Sequence, residues 1–301
     1  MSPFTNLGGE LAALSGALFW AIASVIYRRV GEHIPPLELN LLKGILALAM
    51  LALTLFLIGE PPASLELLAV ELLLLSGAIR IGLGDTAFFE SLAYLGPRRT
   101  LLLWILSPPL AAVLALLFLG EHLTLGGWVG LLLTVLGVAW VVTERVPGRE
   151  ETPNHLLRGI GFGLLAALAQ ASGVVLTRAA YMRSSASPQW GAFLQLAAGT
   201  LTLLIWIPLA RQPLGRWCQG GQMGPLWGWL LLAVFLGTYL TIWLQQVSLA
   251  LTSAGIALAL YSTSPLFVLP LVAWAGEKIS LRAVLGAIVA LAGVGLLFGL
   301  A

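Results

Sequence analysis

The sequence predicts an all-α membrane protein: ten transmembrane helices arranged as two inverted five-helix repeats. Three observations predict it. Of the 301 residues, 59% are hydrophobic and 9% charged, against roughly 25% charged in a soluble domain. So little charge cannot clothe a folded chain in water, and most of the exterior must meet lipid. Apolar runs of about 20 residues, the length that spans a bilayer, recur between short polar breaks. The two halves also share an ordered set of rare landmarks. Transmembrane β-strands alternate apolar and polar residues; these runs do not.

In chain order, helices are expected over residues 11–30, 37–58, 67–95, 100–119, 125–143, 159–181, 190–210, 226–250, 253–275 and 281–300. The breaks "HIPP", "GEPPAS", "LGPRR" and "SSASP" carry turn chemistry. The longest polar insert, "ERVPGREETPNHLLR", falls after the fifth helix. It divides the chain into a first repeat (1–145), a linker (146–158) and a second repeat (159–301).

The repeat is read from "SLAYLGPRRTLLLWILSPPL" against "SLALTSAGIALALYSTSPLF", and from the Gly-Glu pairs that follow. Ser91, Ser107, Pro108, Glu121 and Gly130 correspond to Ser248, Ser264, Pro265, Glu277 and Gly286. Five helices is an odd number, so the second half enters the membrane from the opposite face. Inverted repeats are the architecture of secondary transporters, whose halves open alternately to either side of one central site.

The landmarks "SPPLAAVLALLFLGEHLT" and "SPLFVLPLVAWAGEKIS", with "LFWAIASVIYRRV" and "GTYLTIWLQQVSLALTSA", resemble the drug/metabolite transporter superfamily, specifically its ten-helix members with two EamA-type domains. The resemblance covers nearly the whole chain. It implies a basket of helices around a central cavity, and export of small organic solutes across the inner or plasma membrane. It also implies that the helices carrying Trp20, Tyr27, Trp104, Tyr239, Trp243 and Tyr261 line that cavity. Those rings stack on a solute or sit in the interfacial belt; Trp20 and Tyr261, far from helix ends, are the stronger candidates. Gln170, Gln245 and Gln246, polar within spans, bind solute or bridge helices.

Charges inside spans cost about 2.5–3.5 kcal/mol at the bilayer centre, and "RIGLGDTAFFE" (80–90) holds three. On a regular helix Gly77, Arg80, Gly84, Ala87 and Ser91 share one stripe, and Asp85 lies about 140° round from Arg80. These two charges then cannot pair along their own helix. Lys43, on the second helix, lies at a depth from which it reaches toward Asp85 or Glu90, at the position where the resemblance implies a basic residue. Its counterpart in the second half is near Gln195, and no partner for Arg80 is evident. Three roles are open. Asp85, with Glu90, takes up a proton coupled to export; or Arg80 or Lys43 holds a substrate carboxylate; or the charges form an interhelical ion-pair network.

Pro108 and Pro265 interrupt their helices and free backbone carbonyls, as a paired gate or as packing kinks. Ser107, Thr263 and Ser264 are placed to take those carbonyls. Glu121 and Glu277 follow a glycine and precede a cap residue, Thr124 or Ser280, so each is expected as a structural anchor at the N-terminus of the helix that follows.

His33, His122 and His155 lack metal-ligand spacing, and no nucleophilic triad or dyad is present. Neither enzyme chemistry, a metal nor a cofactor is expected. One cysteine, Cys218, precludes an intramolecular disulfide. A net charge of +2 without a basic tract gives nucleic acid no purchase. The N-terminus lacks a signal-peptide cleavage pattern, so the first helix is expected to remain. Basic residues cluster in the loops after odd-numbered helices, which places both termini outside; the resemblance implies termini inside. The expected partners are a small-molecule solute and the lipid bilayer, and the expected state is a monomer. The competing reading is a non-transporting membrane scaffold or receptor.

Overall fold

The computed structural model describes residues 7–31, 33–59, 66–142, 153–184, 186–209, 224–264, 266, 267, 270 and 281–299. Pro265, Glu277, Cys218 and linker residues 146–152 lie outside the described residues.

Among the described residues ten helices follow one another. They are α1 (Gly8–Gly31), α2 (Pro36–Ile58), α3 (67–104), α4 (Ser107–Leu119), α5 (Leu125–Val142), α6 (Pro153–Arg183), α7 (Pro188–Leu209), α8 (224–251), α9 (Ala254–Tyr261) and α10 (Leu281–Gly299). Six carry stretches long and apolar enough to cross a bilayer, and α4, α5 and α10 are shorter apolar helices. Large apolar side chains cover the outside: Phe56 is 82% exposed, Leu125 83% and Leu281 75%. That surface is stable only against lipid. The chain is an all-α membrane protein.

The packing respects the repeat. α3 lies along α6 as α8 lies along α1, α3 meets α7 as α8 meets α2, and α4 meets α6 as α9 meets α1. Three further pairings join equivalents: α2 with α7, α4 with α9 and α5 with α10. α5 and α10 approach to backbone contact. A Cβ on Gly137 would stand 2.4 Å from Ala290 N, and one on Gly293 would stand 2.5 Å from Thr134 N. Small residues at such crossings are how membrane helices gain packing energy without a hydrophobic drive.

Two further features recur at matching places. Midway along α3, Ala78–Gly84 widens into a π-type turn, and midway along α8, Phe235–Leu240 does the same. Each wide turn meets a glycine or alanine of the other helix: Gly173 faces the Arg80 Cβ, and Gly237 faces the Ala23 Cβ. The second feature is a break before each Ser-Pro. Pro108 has no N–H to offer the carbonyl of Trp104, and Ser107 Oγ takes that carbonyl at 2.7 Å. In the second repeat Ser264 Oγ takes the Tyr261 carbonyl at 2.7 Å, and Thr263 Oγ1 takes the Leu260 carbonyl at 2.6 Å.

Two of the boundaries that differ from the sequence reading have a proline behind them. "LGPRR" was expected as a turn, but its backbone is helical, and α3 breaks at Ile105–Leu106 instead. The adjacent prolines 108 and 109 force the interruption there, because both lack the donor that would continue the helix. α6 begins at Pro153 rather than residue 159, since proline is preorganised for the first helical position.

Candidate functional site

Arg80 is 5% exposed, in the wide turn of α3. Its Nη2 donates to Gln195 Oε1 on α7 at 2.6 Å, and its Nη1 donates to Gln245 Oε1 on α8. Gln195 is itself locked. Its Nε2 donates to Ser76 Oγ at 2.6 Å and to Thr177 Oγ1 at 2.8 Å. Both hydroxyls donate to the Gly173 carbonyl, at 2.7 and 2.9 Å. Gln246 Nε2 adds a second donor to Gln195 Oε1 at 2.7 Å, and Tyr181 OH donates to Gln246 Oε1 at 2.9 Å. The glycines make this closeness possible: a Cβ on Gly77 would stand 2.0 Å from the Gln195 carbonyl oxygen.

The wide turn overturns the angular reading of Arg80 and Asp85. Asp85 N–H bonds to the Arg80 carbonyl, five residues back rather than four. Five residues then complete about one turn, so the two side chains come to the same side instead of standing 140° apart. Asp85 acts electrostatically on Arg80, and the Tyr261 hydroxyl lies near both.

Lys43 Nζ lies 4.0 Å from Asp85 Oδ2, at the outer limit of an ion pair, with side chains 15% and 27% exposed. The same Nζ lies 5.8 Å from the Trp20 ring centroid, within cation–π range. Tyr261 packs its ring edge 3.6 Å from where a Gly16 Cβ would be, one turn along α1 from Trp20. Lys43 thus stands beside Asp85 and Trp20, with Tyr261 one turn along α1 from Trp20; these residues come from α1, α2 and α3 of the first repeat and α9 of the second. Trp104, the repeat equivalent of Tyr261, sets its edge on Phe88, 4.9 Å between centroids, one turn beyond Asp85. Gln170 is buried on the α6 stripe that carries Gly173, Thr177 and Tyr181.

Other residues named from the sequence stand apart. Glu90 is exposed and does not join Asp85. Tyr239 is buried among apolar residues with its hydroxyl 2.8 Å from Thr54 Oγ1; Thr54 is about 16 Å along α2 from Lys43. Pro108 is buried at the α3–α4 break.

Glu121 anchors a different helix from the one expected. Gly120 ends α4 at φ 67, and the Glu121 Oε2 accepts from Ala254 N–H at the start of α9, 3.0 Å away, not from α5. Its Oε1 accepts from Arg178 Nε at 2.6 Å. Arg178 Nη1 also donates to the Leu249 and Ala250 carbonyls at the end of α8. Arg178 lies within α6, and with Glu121 it latches four helices of both repeats.

Sequence reasoning missed Ser76, Thr177 and Tyr181, and saw Gln195 only as the counterpart of Lys43. An uncharged polar residue in a span gives a weaker signal than a charge, and only its tertiary neighbours assign its role. It also missed Glu10, buried at the start of α1, which accepts from Thr252 Oγ1 at 2.9 Å.

The EamA-like transporter family matches residues 7–143 and 157–299 of the chain. A crystal structure of a protein 17% identical in sequence covers 96% of this chain and 95% of its own, with a TM-score of 0.78; the likeness is one of fold. No curated protein matches the chain significantly.

Proposed function

The chain belongs to the EamA-like transporter family, and from that premise we propose that it is a secondary transporter exporting small organic metabolites, amino-acid-like or drug-like, across the plasma membrane by alternating access. Family members are transporters, not enzymes. Solute is held in the space bounded by Trp20, Lys43, Arg80, Asp85 and Tyr261, with Trp104 and Gln170 at its margins.

One observation carries the reading: Lys43, Asp85 and Arg80 lie within spans, Lys43 beside Asp85 and over the Trp20 face, Arg80 held by Gln195 and Gln245 of the second repeat. A scaffold gains nothing from such charges that well-packed apolar residues would not supply. A transporter needs them to replace the water its solute gives up. The joints support the motion. Each repeat has a wide turn and a Ser-Pro break at matching positions, so an exchange of shapes between repeats moves the opening from one face to the other. Pro108 and Pro265 are the gating positions. Asp85 serves as the counter-ion of Lys43. Both repeats lie in one chain, so a monomer suffices.

The test is flux in proteoliposomes, using a panel of radiolabelled amino acids, organic acids and aromatic amines. Flux above empty liposomes is expected for at least one. Asp85→Asn is expected to lower it about tenfold or more, the effect of 1.4 kcal/mol. Absence of flux for the whole panel, or wild-type flux in Asp85→Asn, overturns the reading. Flux that loses its proton dependence in Asp85→Asn would assign proton coupling to that residue.

A further inference from the structure

We propose that the central site takes a solute bearing a carboxylate or comparable oxyanion, held at Arg80 and Lys43, with a flat apolar body against Trp20 and Tyr261. The inference rests on the site assigned above and names its ligand class.

The argument is one of charge balance. Two basic side chains, Lys43 and Arg80, come with one carboxylate: Asp85 lies 4.0 Å from the Lys43 Nζ and closes the wide turn that Arg80 opens. The other carboxylates of the described spans are engaged, exposed or at a helix end: Glu121 is bound to Arg178, Glu10 to Thr252, Glu38 sits in the first turn of α2, and Glu71 and Glu90 are exposed. Arg80 gains no compensation from its own hydrogen bonds, because both acceptors are neutral amide oxygens. Those amides fix it all the same. Gln195 cannot turn its oxygen away while its nitrogen is shared between Ser76 and Thr177. A guanidinium has five N–H donors, and two are spent on the glutamines, leaving the rest for a ligand. The result is a preorganised cation that shares its nearby carboxylate with Lys43, in a medium where charge is poorly screened.

A neutral solute leaves the excess in place, and a cationic one enlarges it. An oxyanion removes it and gains charge-assisted hydrogen bonds, the strong kind. The aromatic component follows from geometry: Trp20 already receives the Lys43 ammonium on its face, and Tyr261 packs against α1 one turn away, at Gly16.

The test uses the full chain in detergent and three probes of one shape: phenylacetate, phenylacetamide and phenethylammonium. Binding is read from quenching of tryptophan fluorescence. Saturable binding of phenylacetate is expected, with the amide about tenfold weaker or more and the ammonium weaker still. A hydrogen bond to a charged group sets that scale. Arg80→Gln is expected to lose about tenfold or more of the phenylacetate affinity, Arg80→Lys to lose less than Arg80→Gln because it keeps the charge but not the fork, and Asp85→Asn to bind more tightly. Arg80→Lys also guards against misfolding, since it keeps the charge. Phenylacetate that fails to bind saturably, an amide or ammonium that binds as tightly, or a folded Arg80→Gln that binds as wild type overturns the proposal. Flux of neutral or cationic solutes without anion preference would overturn it and leave the transport reading standing. Anion binding with no flux of any solute would do the reverse.

Discussion

Glu121→Ala is expected to lower the heat-denaturation midpoint in detergent by several degrees, more than any surface substitution. The pair it breaks is largely enclosed, with side chains 12% and 18% exposed. Removing one member of a buried pair costs about 3–5 kcal/mol, because the other is left charged and without its partner. Arg178 would keep the Leu249 and Ala250 carbonyls, but no anion. The Ala254 N–H, at the positive start of α9, would lose its acceptor as well. The damage spreads because one carboxylate ties the end of α4 to α6, α8 and α9, which belong to the other repeat. The double variant Glu121→Ala, Arg178→Met removes both charges and is expected to recover part of the loss, with a coupling of about 1–3 kcal/mol in a double-mutant cycle. Strict additivity would show that the latch does not act as a unit.

Gln195→Leu is expected to weaken both stability and ligand binding, and Gln195→Glu to weaken binding while sparing stability. Leucine is close in size but strips acceptors from Arg80 and Gln246, and donors from Ser76 and Thr177. Each buried group left without a partner costs about 1–3 kcal/mol, so a total above about 3 kcal/mol is expected even if the hydroxyls find other acceptors. Arg80 then loses its fixed position, and phenylacetate affinity falls with it. Glutamate instead gives Arg80 an internal counter-ion, and the Ser76 and Thr177 hydroxyls can rotate to donate to its second oxygen. The fold tolerates this, but the charge excess that draws an anion is gone. Melting curves and the phenylacetate titration on the two variants separate the effects. Wild-type affinity in Gln195→Glu would contradict the charge-balance account.

Helix number and the pairing of repeats were legible because they rest on long-range pattern: apolar run length, Ser-Pro and Gly-Glu in the same order twice. The approach of Lys43 to Asp85 was legible from depth along antiparallel neighbours. What stayed hidden depended on geometry that periodicity assumes away. A regular 3.6-residue turn sets Arg80 and Asp85 apart, and only the wide turn at Ala78–Gly84 brings them together. "AIRIGLG" offers no residue that announces the widening. Arg80 was without a visible partner because its acceptors are glutamines on α7 and α8, uncharged and far off in sequence. The Gly-Glu landmark marked Glu121 as a helix-end carboxylate, but the end it serves belongs to α9 of the other repeat. A local pattern names the role and leaves the tertiary address open.

The central claim is that the space around Arg80 and Lys43 opens in turn to both faces of the membrane. With one natural cysteine, Cys218, a Cys218→Ser background allows a single reporter to be placed there. Tyr261→Cys in that background, reconstituted and probed with a membrane-impermeant maleimide applied to one side at a time, is the direct measurement. Labelling from both sides, slowed by phenylacetate from either, is the predicted result; labelling from one side only, or from neither, would contradict the account.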